Sequence, residues 1–254
     1  MAQSHEVDRA RRVAVLGDVH GNSVALVAVL EELDREAVDL VVWTGDLSWG
    51  HEPSAALDLV RRLDRSARYV RGNAERALLE LRDGKVAQPS ERERWMLEQH
   101  TDDDLTFAES FEFSISVDIE SLGATLFCHG SPRSDEELLT AGTPAERIRA
   151  ATSGIAERVL VSGHTHSQYD REVAGVRTVN PGSVGMPYEA EPGAYWALLG
   201  PDVELRRTEY DLDEALARLR ASALPDPETL VEILVKPPTP AELIEHAETL
   251  EFSG

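Results

Sequence analysis

The feature that most constrains this chain is a recurrence. Five runs of strand length end in glycine beside a side chain able to hold a metal: "VAVLGDVHGN" (13–22), "VVWTGD" (41–46), "RYVRGN" (68–73), "TLFCHG" (125–130) and "VLVSGHTH" (159–166). The polar groups are Asp18 and His20, Asp46, Asn73, His129, then His164 and His166. Each falls at the expected C-terminal end of a strand, the edge at which open α/β sheets bind ligands. The adjoining glycines let backbone pass close to a ligand cluster without steric cost. Taken singly, a D-x-H, an H-x-H or a G-N is a common turn element. Ordered recurrence argues against chance: Asp46 lies 28 positions after Asp18 and Asn73 lies 27 after Asp46, one strand–helix unit each.

The spacing between these points follows the same logic. Apolar residues at 24, 27, 30 and 33 have helical periodicity, so 23–36 reads as an amphipathic helix capped by Asn22 or Ser23. Strands are expected at 12–18, 39–46 and 67–73, with a second helix at 53–65. This β-α-β-α-β order calls for a largely parallel sheet covered by helices. Residues 74–110 read as polar helix, with Ser90 and Glu93 in capping-box spacing. Further strands are expected at 111–119, where apolar and polar residues alternate, and at 124–130, 158–164 and 176–182. "AYWALLG" and "VELRRTEY" read as an antiparallel pair, and 211–222 as a helix. The expected organisation is a flexible tail over 1–11, one domain over 12–222, and a helical, proline-containing extension over 223–254, packed on the domain or trailing it.

Charge narrows the partners. With 25 basic residues against 47 acidic ones, the net charge is −22, which repels nucleic-acid duplexes and anionic membranes. It does not forbid an anionic substrate, because bound divalent cations reverse the potential locally. The lone Cys128 excludes an internal disulfide framework and fits a reducing compartment, and its place on an apolar strand makes it a core residue. No signal peptide and no membrane span are expected, so the expected location is the cytoplasm. Imidazoles mixed with carboxylate and amide oxygens suit Mn, Fe, Zn or Ni.

The set "GDVHGN", "TGDLSWG", "RGNAE", "CHGSP" and "SGHTH" resembles the calcineurin-like metallophosphoesterase superfamily. "CHGSPRSDEELL" and "VNPGSVGMPYEAEPGAYWALL" are similar to its small bacterial branch of stand-alone phosphodiesterases, and the likeness spans about 12–222. The resemblance implies an α/β (α+β) four-layer fold: two packed mixed β-sheets flanked by helices. It implies two divalent transition-metal ions, Mn²⁺ foremost. One would be held by Asp18, His20 and His166, the other by Asn73, His129 and His164, with Asp46 bridging them. Asp46, Asn73 and His129 would be catalytic. Two cations ~3.5–4 Å apart lower the pKa of a water between them and clamp the attacking and leaving oxygens. The implied activity is hydrolysis of a small phosphoester, either a diester or a monoester.

One departure stands out. Much of the superfamily follows its G-N with a histidine that stabilises the transition state or protonates the leaving group; here Ala74 stands there, followed by Glu75. General acid–base help is typically worth ~10²–10⁴-fold, so substrates with good leaving groups are expected, or a donor from elsewhere such as His51. A surface position without a role is the plainer account of His51. Asn22, Arg133, Ser183 and Trp49 are candidate substrate contacts. Against them stand a helix cap, a solvated arginine, a structural turn in "NPGSVG" and ordinary packing, respectively. His100 and His246, outside the motifs, are expected on the surface. Oligomerisation with copies of the same chain is open. The competing class is a scaffold that keeps this fold, has no catalysis and binds a protein partner; the intact set of seven polar groups weighs against it.

Overall fold

The computed structural model describes residues 8–250, so parts of the expected tail (1–7) and extension (251–254) lie outside the described residues. The chain runs β1 (Asp8–Ala10), β2 (Val13–Leu16), α1 (Ser23–Leu33), β3 (Leu40–Trp43), α2 (Pro53–Arg61) and β4 (Ala67–Tyr69). Three helices follow: α3 (Asn73–Arg82), α4 (Glu91–Glu98) and α5 (Asp102–Glu109). Next come β5 (Ser114–Ile119), β6 (Gly123–Cys128), α6 (Ala145–Ala151), β7 (Val159–Ser162), β8 (Tyr169–Val173), β9 (Val176–Asn180), β10 (Ala194–Leu199) and β11 (Val203–Thr208). The chain then closes with α7 (Leu212–Ala221), α8 (Glu228–Val235) and α9 (Pro240–Thr249).

The strands form two mixed sheets, ordered β11-β10-β2-β3-β4 and β1-β5-β6-β7-β9-β8. β2, β3 and β4 are parallel neighbours, as the strand–helix alternation requires, while β10 runs antiparallel to both β2 and β11. In the second sheet β6, β7 and β9 are parallel. Alternation alone pointed to one helix-covered sheet. Strands β5 to β9, with β1 at their edge, instead build a second sheet, while β10 and β11 return to the first, the four-layer arrangement that the family resemblance implied.

Side-chain direction explains the layers. β2 and β3 are buried on both faces, with Ala14, Leu16, Val41 and Trp43 turned to the helix side together with Leu26, Val29, Leu57 and Val60. Val13, Val15, Leu40 and Val42 turn the other way and meet Ile115, Val117, Phe127, Val161 and Val179 of the second sheet. The far face of that sheet packs Leu126, Cys128 and Leu160 against Leu139, Ile148 and Ala151. Each strand residue therefore has a partner on its own face, the two-sided burial expected of such apolar runs.

Local signals hold at the helix starts. Asn22 Oδ1 accepts from Ala25 N at 3.1 Å and caps α1, while Ser90 and Glu93 form the reciprocal pair at the start of α4. The tail expected over 1–11 is corrected in part. Asp8–Ala10 pairs in parallel with Val117–Ile119, because an added strand satisfies the backbone of the edge strand β5. Within the extension, Val231 and Leu234 of α8 join Leu78, Met96, Leu105, Leu216 and Leu219 in a separate cluster of helices. Among the described residues no helix is long and apolar enough to cross a membrane.

Candidate metal centre

Every recurring motif lies just beyond the C-terminal end of its strand: Asp18 and His20 after β2, Asp46 after β3, Asn73 at the start of α3 after β4, His129 after β6, and His164 and His166 after β7. Packing the two sheets face to face brings these edges together. Asp18, His20 and His166 form one group whose ligand atoms lie within 4.8 Å of one another, and Asp46, His129 and His164 form a second. Asp46 stands between them, with Oδ1 3.4 Å from His129 Nε2 and Oδ2 3.8 Å from His20 Nε2. Asn73 Oδ1 lies 2.8 Å from His129 Nε2, so all seven residues meet at one place.

The backbone is bent to achieve this. Asp18, His20, Asp46, His164 and His166 all have positive φ, between 48° and 65°, a region non-glycine residues seldom occupy. Loop-to-loop hydrogen bonds hold the turns: Asp18 N donates to Gly45 O at 2.8 Å, His20 N to Asp46 O at 3.0 Å, and Gly163 N to His129 O at 2.8 Å. Two glycines are required by close approach. A Cβ on Gly72 would stand 2.0 Å from Asp46 Oδ1, and one on Gly50 would stand 1.5 Å from the His20 carbonyl oxygen.

Hydrogen bonds also choose the nitrogens. The Nδ1 atoms of His20, His129 and His166 lie 2.9, 2.7 and 2.7 Å from the carbonyls of Trp49, Thr44 and Met186. A carbonyl only accepts, so each Nδ1 carries a proton and each Nε2 faces the centre. His164 is reversed: its Nε2 is 3.2 Å from Glu136 O, leaving Nδ1 inward. As a result the Nε2 atoms of His20 and His166 face each other across 3.0 Å, and His129 Nε2 faces carboxylate and amide oxygens. Acceptors crowded on acceptors repel unless a proton or a cation lies between them. The donor set of imidazole nitrogen, carboxylate and amide oxygen without sulfur fits divalent transition metals.

The electrostatics reflect the same crowding. Burial alone would depress His129, but the Asp46 charge and hydrogen bond outweigh it and raise its pKa to about 10. Burial, reinforced by repulsion from His129, pushes His164 down to about 4, and burial with His166 nearby lowers His20. Glu75 was not singled out as a site residue, yet it is fully buried and accepts from the backbone nitrogens of Asp46, Leu47 and Gly72 at 2.8–2.9 Å. It ties the Asp46 turn to the start of α3, while burial and then Asp46 repulsion push its pKa up to about 7. The available signal was its capping-box position three residues after Gly72. Tyr188, also without an expected role, lays its ring on His166 at 4.8 Å.

The four expected substrate contacts fare differently from the seven. Ser183 is corrected: it is fully buried, its Oγ donates to Asp18 O and accepts from Met186 N, and no hydroxyl is left to present to a ligand. Asn22 is spent on its cap and on Gly185 O, at 3.1 Å from Nδ2. Arg133 is exposed, but its guanidinium is held by Glu137 through two bonds of 2.6 and 2.8 Å. Trp49 packs half-buried on the helical cluster, and its carbonyl rather than its indole serves the centre. His51 is not on the surface: it is 4 % exposed, outside both ligand groups, and burial pushes its pKa down to about 4. His100 is likewise buried, bonded through Nδ1 to Met96 O at 2.7 Å, whereas His246 is exposed.

Two packed mixed sheets with such paired ligand groups at their joined edges define a metallophosphoesterase-type sandwich. The chain belongs to the calcineurin-like phosphoesterase superfamily, whose domain profile matches residues 12–200. A metallophosphoesterase from Sphaerobacter thermophilus is similar at 27% identity with a TM-score of 0.70, covering 89% of this chain and 99% of that one. A hypothetical protein from Pyrococcus horikoshii OT3 has the same fold at 20% identity and a TM-score of 0.76, covering 91% and 99% of the two chains. An uncharacterized protein of Methanocaldococcus jannaschii is 24% identical over 237 residues, 84% of this chain and 94% of its own.

Proposed function

We propose that the chain hydrolyses P–O bonds of small phosphoesters, diesters or monoesters, using two divalent transition-metal ions, with Mn²⁺ foremost and Fe, Zn or Ni as alternatives. The observation that carries this reading is the convergence of candidate ligand atoms. Seven metal-capable side chains from five loops converge in two groups, the ligand atoms of each group within 4.8 Å of one another, with Asp46 between the groups and Asn73 beside His129. Asp18, His20 and His166 would hold one ion, Asn73, His129 and His164 the other, and Asp46 offers one carboxylate oxygen to each side. When bound, two such ions supply Lewis acidity and a nucleophile at neutral pH.

The protein's own groups do the positioning. Backbone carbonyls fix three imidazoles with Nε2 inward, so little reorganisation is needed when charge develops at phosphorus. Glu75 clamps the turns carrying Asp46 and Asn73. Nothing at Ala74 can protonate a departing alkoxide, and no described residue of the centre replaces that histidine. Good leaving groups should therefore react far faster than alkyl ones. An acidic surface makes nucleic-acid duplexes poor substrates.

The test is turnover of bis-(p-nitrophenyl) phosphate by metal-stripped protein given Mn²⁺. The expected result is hydrolysis that falls to background in Asp46→Ala, with alkyl diesters reacting at least ~10²-fold more slowly. A protein that binds two ions yet hydrolyses none of a panel of phosphoesters would instead be a scaffold.

A further inference from the structure

The supports of the two ligand groups differ in kind. His129 leans on the Thr44 carbonyl next to β3, and His20 and His166 lean on Trp49 and Met186, in turns bonded to the ligand loops through Gly21 N to Leu47 O, Gly185 N to Asp18 O and Tyr188 N to His166 O. His164 leans on Glu136 O, in the long connection between β6 and α6. Arg76 ties that connection back to α3. Arg76, one turn after Asn73, donates from Nε to Asp135 Oδ2 at 2.8 Å and from Nη2 to the Glu136 carboxylate. Glu80, one turn further along α3, lies 3.4 Å from Nη1. The guanidinium is thus taken up by three carboxylates, which leaves it ill suited to a substrate phosphate.

We infer that Arg76 is a positioning residue for the ion site made by Asn73, His129 and His164. The inference rests on the two-ion reading above and deepens it. α3 brings Asn73, and the Asp135–Glu136 segment brings the carbonyl that sets the tautomer and direction of His164. Arg76 locks these two elements together with its planar fork. An exposed ion pair would add little, because solvent screens it and side-chain entropy opposes it. Arg76 and Asp135 are instead only 29% and 12% exposed in their side chains, and the pair spans two elements that must agree in position. Outer supports of this kind typically change metal affinity by 10–100-fold. The two ions should therefore bind unequally. The Asp18, His20 and His166 site forms on turns already interlocked, and the other site depends on the clamp.

The experiment is titration of metal-stripped full-length protein with Mn²⁺, followed by calorimetry and by the EPR signature of a spin-coupled pair. Wild type should take up two ions and show the coupled signal. Arg76→Ala should bind the first ion as wild type does, bind the second ~10–100-fold more weakly, and lose the coupled signal until Mn²⁺ is raised in proportion. Arg76→Lys can hold one carboxylate but not both in a fork, and should fall between. Thermal melting of the metal-free variants separates this from misfolding. If Arg76→Ala binds both ions with wild-type affinity, or Arg76→Lys weakens both ions equally with its fold intact, the inference is overturned. A wild-type protein that takes up no pair of ions would remove the parent reading, a result visible before any variant is made.

Discussion

Five ionisable residues held at positive φ are an energetic liability, each costing of order 1–3 kcal/mol. They persist because the surrounding hydrogen bonds and two apolar cores leave the loops no cheaper conformation. This strain is placed where the candidate ligand atoms meet. His51 belongs to the same scale but to different physics. Its burial depresses its pKa from 6.5 to about 4, so the folded chain refuses a proton that the unfolded chain accepts. The stability tied to neutral His51 is fully present above pH 6.5 and is lost as pH falls towards 4, by about 2–3 kcal/mol at pH 4.5. Denaturant unfolding at pH 7 and pH 4.5 checks this: His51→Gln should lack that share of the acid-side loss. Equal losses in wild type and variant would mean His51 is solvated. The sequence held no sign of the burial, since a histidine between Gly50 and Glu52 reads as a polar loop residue.

Among elements, legibility followed how strongly each one patterns its residues. β5 alternates half-buried and buried positions, and α4 carries its capping pair, so both were readable. β8, "YDREV", was not anticipated: one residue, Tyr169, is buried and the rest are charged or half-exposed, the composition by which an edge strand avoids further pairing. α6 is seven residues long and begins after Pro144 without a side-chain cap, too short for periodicity to show. The helices α3, α4, α5, α7 and α8 share a core that depends on Leu219, which is fully buried. Leu219→Ala should therefore cost about 2–5 kcal/mol. Chemical denaturation reads that loss directly, and a change under 1 kcal/mol would show that α7 and α8 are held by something other than this cluster.

Across the whole molecule, the seven polar groups were visible in the sequence because each sits at a strand end, where glycine punctuation and chemistry coincide. What was not visible was their partition among partners: which carbonyl fixes which imidazole, and that Ser183, Asn22 and Arg133 are already engaged by Asp18, Gly185 and Glu137. Those facts depend on contacts between residues more than 100 positions apart, such as Asn22 with Gly185, or on loop geometry that no periodicity encodes. The surplus of acids over the surface is compatible with an anionic ester only if cations gather at the joined edges of the sheets. Anomalous diffraction from crystals grown with Mn²⁺ addresses that requirement without reference to turnover. The expected map has two peaks, one beside Asp18, His20 and His166 and one beside Asn73, His129 and His164, with an Asp46 oxygen on each. A map with one peak, or with none within bonding distance of Asp46, would contradict the account.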